Sequence, residues 1–443
     1  MAFIIFYLFL YLLLAVSWNL SKHDILSPNV LICASFIGGS TMYILGSSRL
    51  QVQDFTFTTT VYLIIGLVLF IVGCEFCKLI VKSTRKYSDS RQYMAFNDND
   101  INPIKLPTYF YFVFALLVIF TAVLQTYYIK KMVGGSIISA LSIYRSETLV
   151  EGNNGNTLVK LLSRIIYGIQ PVLLFVICYN KCIAKKKFRY PLFICVAAIL
   201  YMALLYLIDG SRGKIFSVFF QYLFAFTLSL NYGGSISKRY VSSSKRRGNR
   251  FWIKAVILIA AVGVPLFYYG GVIGGRNYSQ ISAFQSVENY FSYGLIRINL
   301  IISKVNNVAS ENWGQWSFSG IYSLLNKMHL VSGVSYDYFP FYKNYGNTIT
   351  IFGRWYVDFG VCGIIVMAFI TGIFYSYFYY RLKYTPSRKT AAYYSCLYVF
   401  LYSAVIMASY DDWFRSVITL NGIFQIVILR LIIKWIYKKY IRS

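Results

Sequence analysis

MAFIIFYLFLYLLLAVSWNL (1–20) decides the fold class. It is apolar almost without a break, and about 20 such residues cross the hydrocarbon core of a bilayer as a helix. It has no basic leader and no small-residue cleavage site, so it reads as a first membrane helix and not as a cleaved signal peptide. Similar stretches recur over 26–46, 59–81, 108–129, 157–179, 190–208, 213–231, 252–271, 355–380, 391–409 and 415–436. The expectation is an all-α polytopic membrane protein of about 11 transmembrane helices, with residues 1–443 forming a single transmembrane domain.

Composition agrees. Only 13% of the 443 residues are charged while 58% are hydrophobic, and soluble domains of this length carry about 25% charged residues. The net charge of +28 invites a nucleic-acid reading, but the basic residues sit in short loops between apolar spans. There they face lipid headgroups and orient the chain. No nucleic acid is expected as a partner; the bilayer is.

Lysine and arginine cluster in 82–107, 180–189, 232–251, 381–390 and the C-terminal tail, on every second connection. This places the N-terminus outside and the C-terminus in the cytoplasm. The external segments are then 47–58, 130–156, 209–212, 272–354 and 410–414. The longest, 272–354, contains WGQWSFSG (313–320) and YDYFPFYKNYGN (336–347). Aromatics mixed with small polar groups suit either a membrane interface or a sugar-binding groove. Within it LIRINLIIS (295–303) reads as a short interfacial or re-entrant helix.

External arginines run against the positive-inside bias: Arg49, Arg145, Arg212, Arg276, Arg297, Arg354 and Arg415. A guanidinium offers a planar fork for phosphate and diphosphate. A single one at a helix end is often a snorkelling side chain; several that converge form an anion site at the outer leaflet. Arg212 lies in the hairpin Asp209-Gly-Ser-Arg-Gly-Lys214, which reads equally as a small phosphate cradle or as a turn closed by an Asp209–Arg212 pair. Arg354 opens Arg354-Trp-Tyr-Val-Asp-Phe-Gly360. Asp358 lies one helical turn on and shares its face, so the two make either an ion pair or a base beside an anion-binding arginine. Arg145 stands near Glu147 and Glu151. A general base, if there is one, is among the external carboxylates, which include Asp411 and Asp412, or is His329. Cys74 and Cys77 form a CxxC on a membrane helix, where small packing side chains are the plainer reading. No phosphate loop, dinucleotide fingerprint, serine triad or zinc spacing occurs, and no metal or cofactor is expected.

With these residues in view, the chain resembles the bacterial O-antigen or capsule repeat-unit polymerases (Wzy type). The likeness covers the layout of the whole chain: many helices, a mid-length external loop (130–156), a long one (272–354) and external arginines. It is sharper at Gly210-Ser-Arg-Gly213 and at Tyr356-Val-Asp-Phe-Gly360-Val-Cys-Gly363, which is similar to a Y-x-D-F-G-x-x-G opening a late helix. The Arg145–Gly155 spacing is similar to an Arg-x9-Gly pattern of external loops. The resemblance implies a GT-C-like glycosyltransferase of the bacterial inner membrane, acting at its outer face. Such an enzyme joins undecaprenyl-diphosphate-linked oligosaccharide repeat units without a nucleotide sugar, alongside a chain-length regulator and a flippase. Arg145, Arg212, Arg276 and Arg354 are then expected to bind diphosphate, and Asp358, Glu147 and His329 to serve acid/base or positioning roles. An O-antigen ligase, or a lipid-linked oligosaccharide flippase or other transporter, are the alternative readings.

Overall fold

The computed structural model describes residues 1–50, 54–83, 104, 106–136, 139–140, 143–144, 156–182, 218, 220–225, 227–228, 265, 267–269, 282–304, 313–331, 348–384, 388–436 and 438. Among them the regular structure is all helix, with no strand. The helices are α1 (Ala2–Leu20), α2 (Pro28–Leu50), α3 (Phe57–Ser83), α4 (Thr108–Val133), α5 (Thr157–Cys182), α6 (Ala283–Lys304), α7 (Ser319–Lys327), α8 (Ile351–Tyr384), α9 (Arg388–Ile406), α10 (Phe414–Val417) and α11 (Leu420–Ile436). Six of these contain stretches long and apolar enough to cross a membrane: α1 to α5 and α8. The span 190–208, and most of 213–231 and 252–271, lie outside the described residues.

Local chemistry sets several boundaries. Pro28 opens α2, where its missing N–H costs nothing. The Asn156 side chain accepts the backbone N–H of Leu158 at 2.8 Å and so caps α5. Thr419 does the same for α11 through the N–H of Gly422 at 3.0 Å. The expected span 415–436 is therefore interrupted, with α10 ahead of the cap and α11 behind it.

The chain forms two compact units. One comprises residues 1–91, 285–385 and 401–423; the other comprises 92–284, 386–400 and 424–443. In the first, Phe3 stacks on Tyr43 at 4.2 Å and meets Phe55 edge-on at 5.0 Å. The start of α1, the end of α2 and the start of α3 therefore share one end of this unit, here called the site end. Tyr62 of α3 faces Tyr356 of α8 at 5.8 Å, and farther along Phe76 faces Phe369 at 5.6 Å. Helices α3 and α8 thus run parallel, and α8 also starts at the site end. Their approach is close because glycine faces backbone. A Cβ on Gly73 would lie 2.3 Å from the carbonyl oxygen of Phe369, and one on Gly372 2.2 Å from that of Phe70. Small residues let membrane helices gain van der Waals contact where lipid supplies no hydrophobic drive. Cys74 joins this seam, its thiol donating to the Gly372 carbonyl at 3.5 Å. Both cysteines of the CxxC are buried, unbridged thiols.

At the opposite end the Lys78 ammonium donates to the Leu20 carbonyl at 2.7 Å and pairs with Glu75 at 2.6 Å. Lys383 pairs with Asp24 at 3.1 Å, and Tyr379 donates to the same carboxylate. Glu75, an acid inside the apolar span of α3, thereby has a cationic partner.

Helix α8 is not one rod. Gly360 has φ 63° and ψ −151°, outside the helical region, in a left-handed conformation that glycine adopts without a Cβ penalty. The break folds the helix onto itself, so that a Cβ on Gly363 would lie 2.3 Å from the Trp355 carbonyl oxygen. The glycines of the Asp-Phe-Gly-x-x-Gly stretch are what this kink requires. Residues 351–359 become a separate leading piece, and 361–384 remain long enough to span.

LIRINLIIS is the inner half of the 22-residue helix α6, longer than the short element expected from sequence. Residues 295–298 are fully buried. Gly294 lies so close to the turn after α9 that a Cβ would be 2.4 Å from the Ser409 carbonyl oxygen. The Asn299 side chain accepts the N–H of Thr56 at 2.9 Å and donates to the carbonyl of Asp54 at 3.1 Å. Near its start, Glu288 pairs with Arg49 at 2.6 Å.

In the second unit, α4 and α5 pack through Tyr111, Phe114, Val118, Ile166 and Leu173, with Val218 in the same cluster. Phe110 stacks on Trp435 at 5.5 Å, and the Asn180 amide bonds both backbone groups of Ile104.

Candidate functional site

The site end gathers charge around the leading piece of α8. Arg354 lies on its first turn, 1% exposed. Its Nε and Nη2 donate at 3.1 and 2.9 Å to one oxygen, Oδ1 of Asp411, in the turn after α9. That turn is held against α8 by the Ile351 N–H, which donates to the Ala408 carbonyl at 2.9 Å. The ion pair therefore forms between elements distant in sequence, and Arg354 pairs with Asp411 and not with Asp358. A second arginine, Arg415 on α10, brings its Nη2 to 3.8 Å from the other Asp411 oxygen. Its Nε donates to the backbone carbonyl of Asp412 at 3.2 Å.

Asp412 is fully buried. Its Oδ1 accepts the Phe414 N–H at 3.0 Å, and its backbone N–H donates to Asp411 at 2.9 Å. Burial pushes its carboxyl up to about 7, with Asp411 adding to the rise while Arg354 and Arg415 pull it down. Desolvation outweighs two nearby cations because a buried carboxylate loses its hydration. Tyr375 of α8 approaches the same turn, its ring 6.0 Å from that of Phe414. Next to the pair, Tyr410 stacks on Tyr290 of α6 at 4.0 Å, and burial holds its hydroxyl well above the ordinary value of 10.0.

Asp358, one turn beyond Arg354, does different work. Its two oxygens accept the backbone N–H groups of Trp316 at 3.1 Å and Ser317 at 2.6 Å. It docks the aromatic segment 313–318 on the kink of α8. Tyr322 donates to the Trp313 carbonyl, and Gly314 takes φ 82° at the bend. Trp313 is 76% exposed and stands edge-on to Phe359 at 4.6 Å. A carboxylate that accepts two N–H groups is an anchor first; any proton transfer at Asp358 competes with those bonds.

His329 lies just past α7 with φ 57° and an exposed ring. Among the described residues its side chain has no hydrogen bond or ion pair to this cluster. Arg297 is fully buried on α6. Arg145, Glu147, Arg212 and Arg276 lie outside the described residues. Of the expected site residues the structure thus brings Arg354 and Asp358 to one end of α8 and leaves His329 outside their hydrogen-bonded cluster. It adds Asp411, Asp412 and Arg415. Their signal in sequence is the acidic doublet followed by arginine in Tyr410-Asp-Asp-Trp-Phe-Arg415, between two apolar runs. Among the described residues no group of three His, Cys, Asp or Glu side chains is close enough to hold a metal ion.

Compared with known proteins, the chain matches no family model, no curated protein and no solved structure.

Proposed function

We propose that this protein is a membrane glycosyltransferase. It joins undecaprenyl-diphosphate-linked oligosaccharide repeat units into an O-antigen or related surface polysaccharide at the outer face of the bacterial inner membrane. In this reading the chain crosses the bilayer about 11 times, with its N-terminus outside and its C-terminus in the cytoplasm, and the site end faces outward. The observation that carries the reading is the buried Arg354–Asp411–Asp412–Arg415 cluster, at the same end of α8 as the exposed aromatic segment held by Asp358.

Each part answers a need of the reaction. A diphosphate leaving group gains negative charge as its bond to the sugar breaks, and fixed cations in a dry setting stabilise that charge most. Sugars need flat apolar faces with polar groups around them, which Trp313 and its neighbours offer. A polyprenyl tail needs apolar helix surface, and α1, in the same unit as the cluster, exposes Leu8 and Leu12. Arg145, Arg212 and Arg276 are further diphosphate-binding candidates, and Glu147 a further acid/base candidate, from segments assigned to the same side.

The test is the surface glycan of a strain lacking this chain. Single capped repeat units, restored to a ladder by the intact gene, are the expected result. Accumulated lipid-linked polymer would make it a ligase instead. Loss of all outward-facing lipid-linked units would make it a flippase.

A further inference from the structure

Asp412 is set apart from the rest of its cluster by how the hydrogen bonds are distributed. Among the described residues, ion pairs from both arginines go to Asp411: two contacts from Arg354, and one from Arg415 at 3.8 Å. Toward Asp412, the Arg415 side chain donates to the backbone carbonyl, and the Arg415 backbone N–H favours the ionised carboxyl. The Asp412 carboxyl is fully buried and takes one N–H at Oδ1, while Oδ2 has no hydrogen-bond partner among the described residues. The Tyr375 hydroxyl, buried beside it, likewise has none among them. Among the described residues, the charged and titratable groups around Asp412 are Arg354 and Tyr375 from α8, Asp411 beside it and Arg415 from α10. Tyr410 adjoins Asp411, with Tyr290 of α6 stacked on it.

We propose that the Arg354–Arg415 cluster is a proton-linked binding site for a tetrahedral oxyanion of the phosphate-ester class, in which Asp412 takes up a proton as the anion seats against Arg415. The identity of that anion as a lipid diphosphate rests on the proposed function; the linkage itself does not.

The charge count gives the reason. With both carboxyls ionised, the two arginines and two aspartates sum to zero. With Asp412 protonated, the cluster carries one net positive charge and draws an anion. Arg354 is sealed inside, while the Arg415 side chain keeps 17% of its surface accessible, so the anion meets Arg415 first. Its field opposes a negative Asp412 and favours the protonated carboxyl. Burial, working against both arginines, holds that carboxyl at about 7, so a modest field decides its state near neutral pH. The same arithmetic suits glycosyl transfer. As the acceptor oxygen bonds to the sugar carbon it releases its proton. As the sugar–phosphate bond breaks, its electron pair stays on the diphosphate, which becomes more negative by one. The acceptor's proton passes to solvent, and because Asp412 is already protonated once the anion is seated, the cluster is more positive by one as that negative charge develops.

The test uses the purified full chain in detergent, with sulfate as the anion because its charge is constant across neutral pH. Titration calorimetry in two buffers of different ionisation enthalpy measures protons bound per sulfate. The expected results are uptake of a proton fraction that grows above about pH 7, and affinity that falls by up to about tenfold per pH unit there. Asp412→Asn cannot titrate and should bind sulfate with no proton uptake and a flat pH dependence. Arg415→Gln should lose binding. Binding without proton uptake by the natural chain overturns the inference, as does an Asp412→Asn slope equal to that of the natural chain, or no sulfate binding near pH 6. Should the variants fail to fold, the two-buffer measurement on the natural chain still decides. Sulfate carries no sugar, so this experiment can fail while the strain's glycan profile still supports the polymerase reading, and the reverse.

Discussion

Removing the Arg354 guanidinium tests whether this arginine is held in place by Asp411 as the site requires. The side chain is almost fully buried and donates twice to one carboxylate oxygen. Deleting one partner of a buried ion pair costs about 3–5 kcal/mol, because the other is left charged in a poor solvent. Asp411 retains two reliefs: the Asp412 N–H at 2.9 Å and Arg415 at 3.8 Å. Arg354→Met therefore falls at the lower end, about 3 kcal/mol. Asp411→Asn leaves an uncompensated buried guanidinium and costs about the same. In the double variant neither charge remains, so the loss is about 3 kcal/mol and not twice that, a coupling of about 3 kcal/mol. Thermal midpoints in detergent, followed by tryptophan fluorescence, read this as a drop of roughly 6 °C for each single variant and a similar drop for the double, at about 2 °C per kcal/mol. Additive losses, with the double variant twice as destabilised as either single, would refute the pair as an energetic unit. The same cycle guards the functional argument, since loss of polymer in Arg354→Met means little unless the fold survives.

Asp358→Asn replaces one of two acceptor oxygens with an N–H donor aimed at a backbone N–H. Hydrogen exchange at the amides of Trp316 and Ser317 should speed up by about tenfold to a hundredfold, from loss of about 1.5–3 kcal/mol of charge-assisted bonding. Glycan synthesis lost with unchanged exchange at those amides would instead make Asp358 a base and not an anchor. At the α3–α8 seam, Gly372→Val puts a branched side chain where a Cβ already meets the Phe70 carbonyl at 2.2 Å. It should lower stability by about 1–3 kcal/mol, read as a lower thermal midpoint; an unchanged midpoint would show that the helices are not held that closely.

Membrane character and helix positions were legible in the sequence because a span needs only its own residues to be apolar for about 20 positions. The stretches 2–19, 59–81 and 108–129 match α1, α3 and α4 within a few residues. Helix α6 shows where that signal weakens. Glu288, Asn289 and Arg297 lower its hydropathy, so only 295–303 stood out. The folded chain supplies Arg49 for both Glu288 and Asn289 and fully buries Arg297.

The site divides in the same way. Arg354 and Asp358 could be picked out because they lie four residues apart where a helix begins, and the glycines at 360 and 363 marked that place as unusual. Which group each one touches was not readable. Spacing along a helix offered Asp358 to Arg354, but Asp411 took it, 57 residues away, because Asp358 was drawn to two backbone N–H groups in the 313–318 segment. Hydropathy and charge pattern are local properties and survive in the linear chain. The partner of a buried charge, and the balance of burial against nearby cations at Asp412, depend on which distant segments exclude water together, and that only the tertiary structure decided.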